Sequence, residues 1–279
     1  MSTRVRQARY RHLGELRHEP TEKRVRALLG DHVVADTTGA LLVWEPRRVV
    51  PTYAVPVADV TGSLVPRPPV PAPQPTDDVG LRLPAVSERP VLDPSIAFDV
   101  HTADGEAVEV RGPDGAAAGA GFRPSDPDLA GHVVLDFAAF DWFEEDERVV
   151  SHPRDPFHRI DVLRSSRQVR LELDGHVLAE TNRARLLFET TLPMRFYLPP
   201  EDVRAELEPS PTRTWCAYKG EASYWSPVVT GQAVANLAWS YGTPLHDATD
   251  VQGLIAFFDE RVDVVLDGQR RERPVTPWS

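Results

Sequence analysis

KRVRALLGDHVVADTTGALLVWEPRRVVPTY (residues 23–53) and RQVRLELDGHVLAETNRARLLFETTLPMRFY (residues 167–197) are two versions of one stretch. They align without a gap over 31 positions at a constant offset of 144. Eleven positions are identical: Val25/Val169, Arg26/Arg170, Leu29/Leu173, His32/His176, Val33/Val177, Ala35/Ala179, Thr37/Thr181, Ala40/Ala184, Leu42/Leu186, Glu45/Glu189 and Tyr53/Tyr197. One gap later, Asp59-Val60 matches Asp202-Val203. Such density, with the apolar positions in phase, marks an internal duplication.

The pattern within each copy is that of strands. Val169-Arg170-Leu171-Glu172-Leu173 alternates apolar and polar at period 2, as a half-buried strand does. Asp174-Gly175 supplies the positive φ of a tight hairpin, and His176–Thr181 is the return strand. Gly30-Asp31 plays the same part in copy 1. Leu186–Glu189 reads as a third strand, and residues 254–268 as a final hairpin. Residues 138–147, AAFDWFEEDE, read as a short acidic helix, and HPRDPFHR after them as a hinge. LVPRPPVPAPQP (64–75) holds six prolines, so it is extended and barred from a central strand. The expected architecture is all-β with short helical pieces. It comprises a basic segment at 1–19, a first copy at 20–150 and a second at 151–279.

The bulk properties narrow the function. A net charge of −11 argues against nucleic acid as the main partner. The locally basic N-terminus reads as a solvated tail. The chain has no apolar run of about 18 residues, so no membrane span is expected. The N-terminus lacks the apolar core of a secretory signal, and Cys216 is the only cysteine, which together point to a reducing cytoplasm. A lone thiol cannot supply a cysteine-rich zinc site, and the spacing of His152 and His158 matches no metal motif. No metal or cofactor is expected. Of the 31 basic residues 29 are Arg; Lys23 and Lys219 stand out against what resembles the codon usage of a high-GC bacterium.

Lys219 falls in the densest stretch, TRTWCAYKGEASYWS (212–226), with Cys216 and four large aromatics. Lys219 is either a ligand-facing ammonium or a solvated hairpin lysine paired with Glu221. Cys216 is either a nucleophile or an inert buried thiol. Tyr224, Trp225, Trp239 and Tyr241 are either the walls of an aromatic site or ordinary core. Glu189, apolar-flanked and matched by Glu45, needs a partner if buried, and Arg195 is a plausible one, which makes the pair a structural ion pair. Asp59 and Asp202 read as caps of the following turn. Copy 1 has neither Lys nor Cys between residues 54 and 151, so any site resting on those residues is single and lies in copy 2.

The stretches HPRDPFHRIDVLRSSRQVRLELDGHVLAET, LPMRFYLPPEDV, TRTWCAYKGEASYWS, AWSYGTPL and GLIAFFDERVDVVLDG closely resemble the bacterial family called domain of unknown function 427. EPTEKRVRALLGDHVVADTTGALLVWEPRRVVPTYAVPVADV is similar to the first half of its tandem members. The family's C-P-Y-K-G motif stands here as Cys216-Ala217-Tyr218-Lys219-Gly220, with Ala217 in place of Pro, and Tyr197, Pro199 and Asp202-Val203 keep a second motif. The resemblance implies a β-tent fold of two small antiparallel sheets per copy. It is like the thalidomide-binding domain of cereblon and methionine sulfoxide reductase B, without their zinc. It also implies a ligand space between the sheets, an associational inference from fold.

Three functions are weighed. The first is a small-molecule-binding module in copy 2, with Tyr224, Trp225 and Trp239 as walls and Glu189, Arg195, Tyr197, Cys216 and Lys219 at the site. The second is an interaction or structural protein without such a site. The third is an enzyme using Cys216 or Lys219. The ligand and the oligomeric state are left open by the sequence.

Overall fold

The computed structural model describes residues 2–67, 80–81, 86–112 and 118–276. The chain divides into two compact units, residues 1–155 and 156–279. Each unit is a larger antiparallel sheet packed on a smaller one, and the strand order is the same in both. In unit 1 the larger sheet runs Arg17–Pro20, Leu41–Trp44, Thr52–Pro56, His132–Leu135, Ala118–Pro124, Gly105–Arg111, Ser63–Pro66. In unit 2 it runs Ile160–Arg164, Arg185–Glu189, Arg195–Leu198, Ile255–Phe257, Ala238–Ser240, Gly220–Val229, Leu207–Cys216, with Gln232–Ala233 added beside Gly220–Val229. The smaller sheets run His32–Thr37, Val25–Leu29, Asp141–Glu144, Glu147–Arg148 and, in unit 2, His176–Thr181, Val169–Leu173, Asp263–Leu266, Gln269–Arg270.

Fine details repeat as well. A β-bulge interrupts the first hairpin between Ala27 and Leu28, and again between Leu171 and Glu172. Asp59 accepts a hydrogen bond of 2.6 Å from Thr37 Oγ1, and Asp202 one of 2.6 Å from Thr181 Oγ1. These carboxylates staple a short 3-10 turn to the smaller sheet rather than capping the turn they belong to. Thr181 Oγ1 also accepts from the Arg183 amide, as Thr37 Oγ1 does from Gly39.

The larger sheet is buried on both faces, which is why its strands are continuous apolar runs such as Phe196-Tyr197-Leu198 and Ile255-Ala256-Phe257. Its inner face meets the smaller sheet in one dry core: Leu186, Phe196, Leu198, Ala238 and Phe257 against Val169, Leu171, Leu178, Val264 and Leu266. Its outer face carries Leu187, Tyr197, Trp239, Tyr241 and Ala256, covered by Ala248 and Val251 of the turn His246–Val251. Unit 1 has the same inner core, with Trp142 and Tyr53 at its centre, and a smaller outer cluster around Phe122 and Leu129.

Four sequence expectations are corrected. Residues 138–147 are not a helix. Asp141–Glu144 and Glu147–Arg148 form a hairpin of the smaller sheet, because Trp142 is needed in the core and its donor Nε1 reaches the Phe137 carbonyl at 3.0 Å. Residues 254–268 are not one hairpin: Ile255–Phe257 lies in the larger sheet and Asp263–Leu266 in the smaller, so the chain crosses between sheets. The N-terminal segment is not wholly a solvated tail. Leu13 is buried, its carbonyl accepts from the Arg47 amide at 2.7 Å, and Arg17–Pro20 is an edge strand. Finally, Tyr53 pairs with Leu42 as Phe196 pairs with Leu186. Tyr53 therefore occupies the place of Phe196, and the alignment needs a one-residue gap before it. Of the proline-rich stretch, Ser63–Pro66 is an edge strand, where proline is tolerated, and 68–75 lies outside the described residues. Among the described residues no helix is long and apolar enough to cross a membrane.

Candidate functional site

The alternation along Arg185–Glu189 puts Arg185, Leu187 and Glu189 on the outer face of the larger sheet in unit 2. Leu207–Cys216 and Gly220–Val229 are joined by three residues, 217–219, and Gly220 takes φ 86°, which favours glycine. Lys219 at the end of this turn is not solvated. It is only 8% exposed, and its Nζ donates to Glu189 Oε2 at 2.5 Å, while Glu221 pairs instead with Arg213 at 3.3 Å. His158 Nε2 lies 3.1 Å from the other Glu189 oxygen. An ionised carboxylate only accepts, so this nitrogen carries the proton. The His158 ring stacks on Tyr218, centroids 4.1 Å apart and 20° from parallel.

Electrostatics hold the pair ionised. Burial alone would push the Glu189 carboxyl up, but Lys219 and His158 outweigh it and bring it to about 2. Burial alone would lower Lys219, but Glu189, Cys216 and Tyr197 raise it above the ordinary lysine value. Lys219 is therefore an ammonium and not the neutral amine that a nucleophile requires. Burial likewise raises Tyr197 to about 12, and Tyr241 well above a free phenol.

Next to the pair lies a row of aromatics. Tyr197, Ala256, Trp239 and Tyr224 are direct neighbours across four strands and so share the outer face. Trp239 Nε1 donates to the Tyr197 hydroxyl at 3.1 Å, with the rings edge to face. Tyr241 lies 6.5 Å from Tyr197, and Tyr224 and Trp239 both pack on Phe258. Trp225 does not join them. As the residue after Tyr224 it faces inward, packs in the inter-sheet core, and donates to Ser240 Oγ at 2.9 Å. Arg195 is not the partner of Glu189 either. Its guanidinium makes a two-pronged pair with buried Glu260 at 2.8 and 2.6 Å, lies 4.0 Å from Asp259, and covers the Trp239 ring. Cys216 is partly buried, and its Sγ lies 3.5 Å from the Tyr218 amide.

The outer face thus brings together Glu189, Lys219, Tyr197, Trp239, Tyr224 and, at its side, Arg195. The space between the sheets, where the resemblance placed a ligand, is filled by apolar side chains. Tyr241 was among the aromatics singled out from the sequence, and it joins this group. His158, Tyr218 and Glu260 were missed from sequence as members of it, and His158 was weighed solely as a metal ligand. Among the described residues no group of three or more His, Cys, Asp or Glu is placed to hold a metal ion.

The counterpart of Glu189 in unit 1, Glu45, is also buried and also held by the connection that leads into the next strand of the larger sheet. There the connection between Ser63–Pro66 and Gly105–Arg111 is long, and it returns three donors. The Thr102 and Ala103 amides donate to Glu45 Oε2 at 2.5 and 3.0 Å, and His101 Nδ1 donates to Oε1 at 2.8 Å. His101 stacks on Phe122 much as His158 stacks on Tyr218.

A family model described as "Domain of unknown function (DUF427)" matches residues 17–70 and 161–268. The chain belongs to that family. The two matched segments begin at the first strand of each larger sheet, in keeping with a two-copy member. In unit 1 the match ends at residue 70, just past Ser63–Pro66, and in unit 2 it is continuous across Lys219 and its neighbours. No curated protein matches the chain.

Proposed function

We propose that unit 2 is a small-molecule-binding module whose ligand presents an oxygen acceptor to the outer face of the larger sheet. The observation that carries this reading is a set of uncommitted donors in one place. The Lys219 ammonium has three N–H groups and commits one, to Glu189. The Tyr197 hydroxyl accepts from Trp239 but donates to no described residue, and the Tyr241 hydroxyl has no hydrogen-bond partner among them. A carboxylate or carbonyl oxygen would complete these donors, and the adjoining aromatic edge would receive an apolar body. The ionised state of Lys219 supports binding over covalent chemistry. In unit 1 the matching carboxylate is closed off by the chain's own amides, which supports a single site.

Thermal unfolding of the full chain with acetate, benzoate and benzamide tests the reading, with Tyr241→Phe as the variant because it removes a donor and keeps the ring. At least one probe is expected to stabilise the wild type and to bind about tenfold more weakly to the variant, the effect of one hydrogen bond in a charged site. Equal shifts for both proteins, or none at millimolar probe, refute it.

A further inference from the structure

A second feature of unit 2 lies at the other end of the strand that carries Glu189. Arg164, Ser165, Ser166, Asn182, Arg183 and Arg185 line an open cleft of about 580 Å³. Arg164 and Arg185 are directly opposite each other in adjacent strands. Their side chains leave the same face about 5 Å apart, and like charges so placed repel. Neither has an ion-pair or hydrogen-bond partner among the described residues, whereas the nearby Arg159, Arg167, Arg170 and Arg183 each hold a carboxylate. The Ser166 hydroxyl and the Asn182 amide have no hydrogen-bond partner among the described residues either, and Ser165 Oγ accepts from the Arg167 amide, which leaves its proton to donate.

The fold does not require this arrangement. At the matching positions unit 1 has Pro20 opposite Leu41, with Glu22 for Ser166 and Gly39 for Arg183. An arginine pair that repels itself in a chain of net charge −11 is stabilised by an anion between the two forks.

We propose that this cleft binds the dianion of a phosphomonoester or of free phosphate. Two guanidinium forks and the Ser165, Ser166 and Asn182 donors suit a compact tetrahedral oxyanion. A long polyanion is disfavoured, because Asp202 and Glu201, which hold Arg183 at 2.8 and 3.2 Å, flank the basic surface. The site is independent of the one at Lys219, four residues and about 13 Å away along the strand.

The full chain is titrated with inorganic phosphate and with glycerol 3-phosphate, with glycerol as control and chloride holding the ionic strength constant. Calorimetry and thermal unfolding are both read. Both anions are expected to bind saturably, glycerol is expected not to, and affinity should rise as the pH passes about 6 and the dianion forms. A tighter fit for the ester assigns the site to a phosphorylated metabolite, and a tighter fit for phosphate to the free ion. Arg164→Gln with Arg185→Gln should weaken binding at least tenfold, while Arg213→Gln, a charge removed elsewhere on the unit, should not. Without phosphate the double variant should melt no lower than the wild type, since it loses a repulsion and no contact. The proposal is overturned if the double variant binds as the wild type does. It is equally overturned if neither anion binds, or if a single-stranded oligonucleotide binds through these arginines while both small anions fail.

Discussion

Replacing Lys219 by methionine would leave Glu189 buried with His158 as its one remaining partner. In the wild type Glu189 titrates at about 2 instead of 4.5. Each tenfold change in proton affinity corresponds to about 1.4 kcal/mol, so ionisation of Glu189 contributes about 3 kcal/mol to folding at neutral pH. That agrees with the roughly 3–5 kcal/mol expected when one partner of a buried pair is removed. The pH dependence should change sign. In the wild type the folded value is depressed, so the contribution is full above about 4.5 and is lost as the pH falls toward 2. In Lys219→Met burial dominates, the folded value rises above the unfolded one, and stability should increase as the pH is lowered from 7 to 5. Adding Glu189→Gln should recover most of the loss, with a coupling energy of about 2 kcal/mol or more. Urea unfolding would be followed by amide exchange in Arg195–Leu198 and Ala238–Ser240, which reports on unit 2 alone. A loss under about 1 kcal/mol with no reversal of pH dependence would refute a desolvated ion pair.

Two further outcomes follow from unit 1 and from the repeat. Burial would lower His101, but Asp136 at 3.2 Å and Glu45 at 2.8 Å raise it to about 9. Its contribution, on the order of 3 kcal/mol, is present below about 6.5 and lost as the pH rises through 9; unit 1 should therefore weaken between pH 7 and 10, and His101→Gln should flatten that slope in urea unfolding. Thr37→Val and Thr181→Val each remove a 2.6 Å bond to an aspartate from a nearly buried threonine. Each should cost its own unit about 1–2 kcal/mol, and unequal losses would show that the two staples do not bear the same load.

The hairpins and the duplication were legible because period-2 alternation and turn dipeptides are local signals. The faces of the larger sheet were less so. Buried on both sides, Leu186-Leu187 and Phe196-Tyr197-Leu198 do not alternate, and nothing in them says which residue meets the smaller sheet. Tyr224 and Trp225 were separable in principle, since adjacent strand residues face opposite ways. The acidic stretch around Trp142 was misread because its run of charges hides a hairpin: Glu145 and Asp146 form the turn, while Asp141, Glu144 and Glu147 lie in the strands around the buried Trp142. The partners of Glu189 lie 30 and 31 residues away in opposite directions, and those of Arg195 lie 64 and 65 residues on. No local pattern predicts such pairings, and the expected pairing of Glu189 with Arg195 failed for that reason.

Glu45 and Glu189 occupy one position in the repeat, and keeping a carboxylate at both does not by itself indicate function. Once buried, the group must be satisfied whatever its role. The informative difference is how each unit does so. In unit 1 the long connection supplies two amides and an imidazole, and the Glu45 oxygens take all three donors. In unit 2 the same connection is three residues long and supplies an ammonium, which commits one of its three donors to Glu189. The two loops leave a closed hydrogen-bond set in unit 1 and an open one in unit 2, beside aromatics and on a face whose far end carries two arginines without an ion-pair partner among the described residues. One copy thus holds a self-contained carboxylate and the other a surplus of donors, and it is on that surplus that the proposed binding site in unit 2 rests.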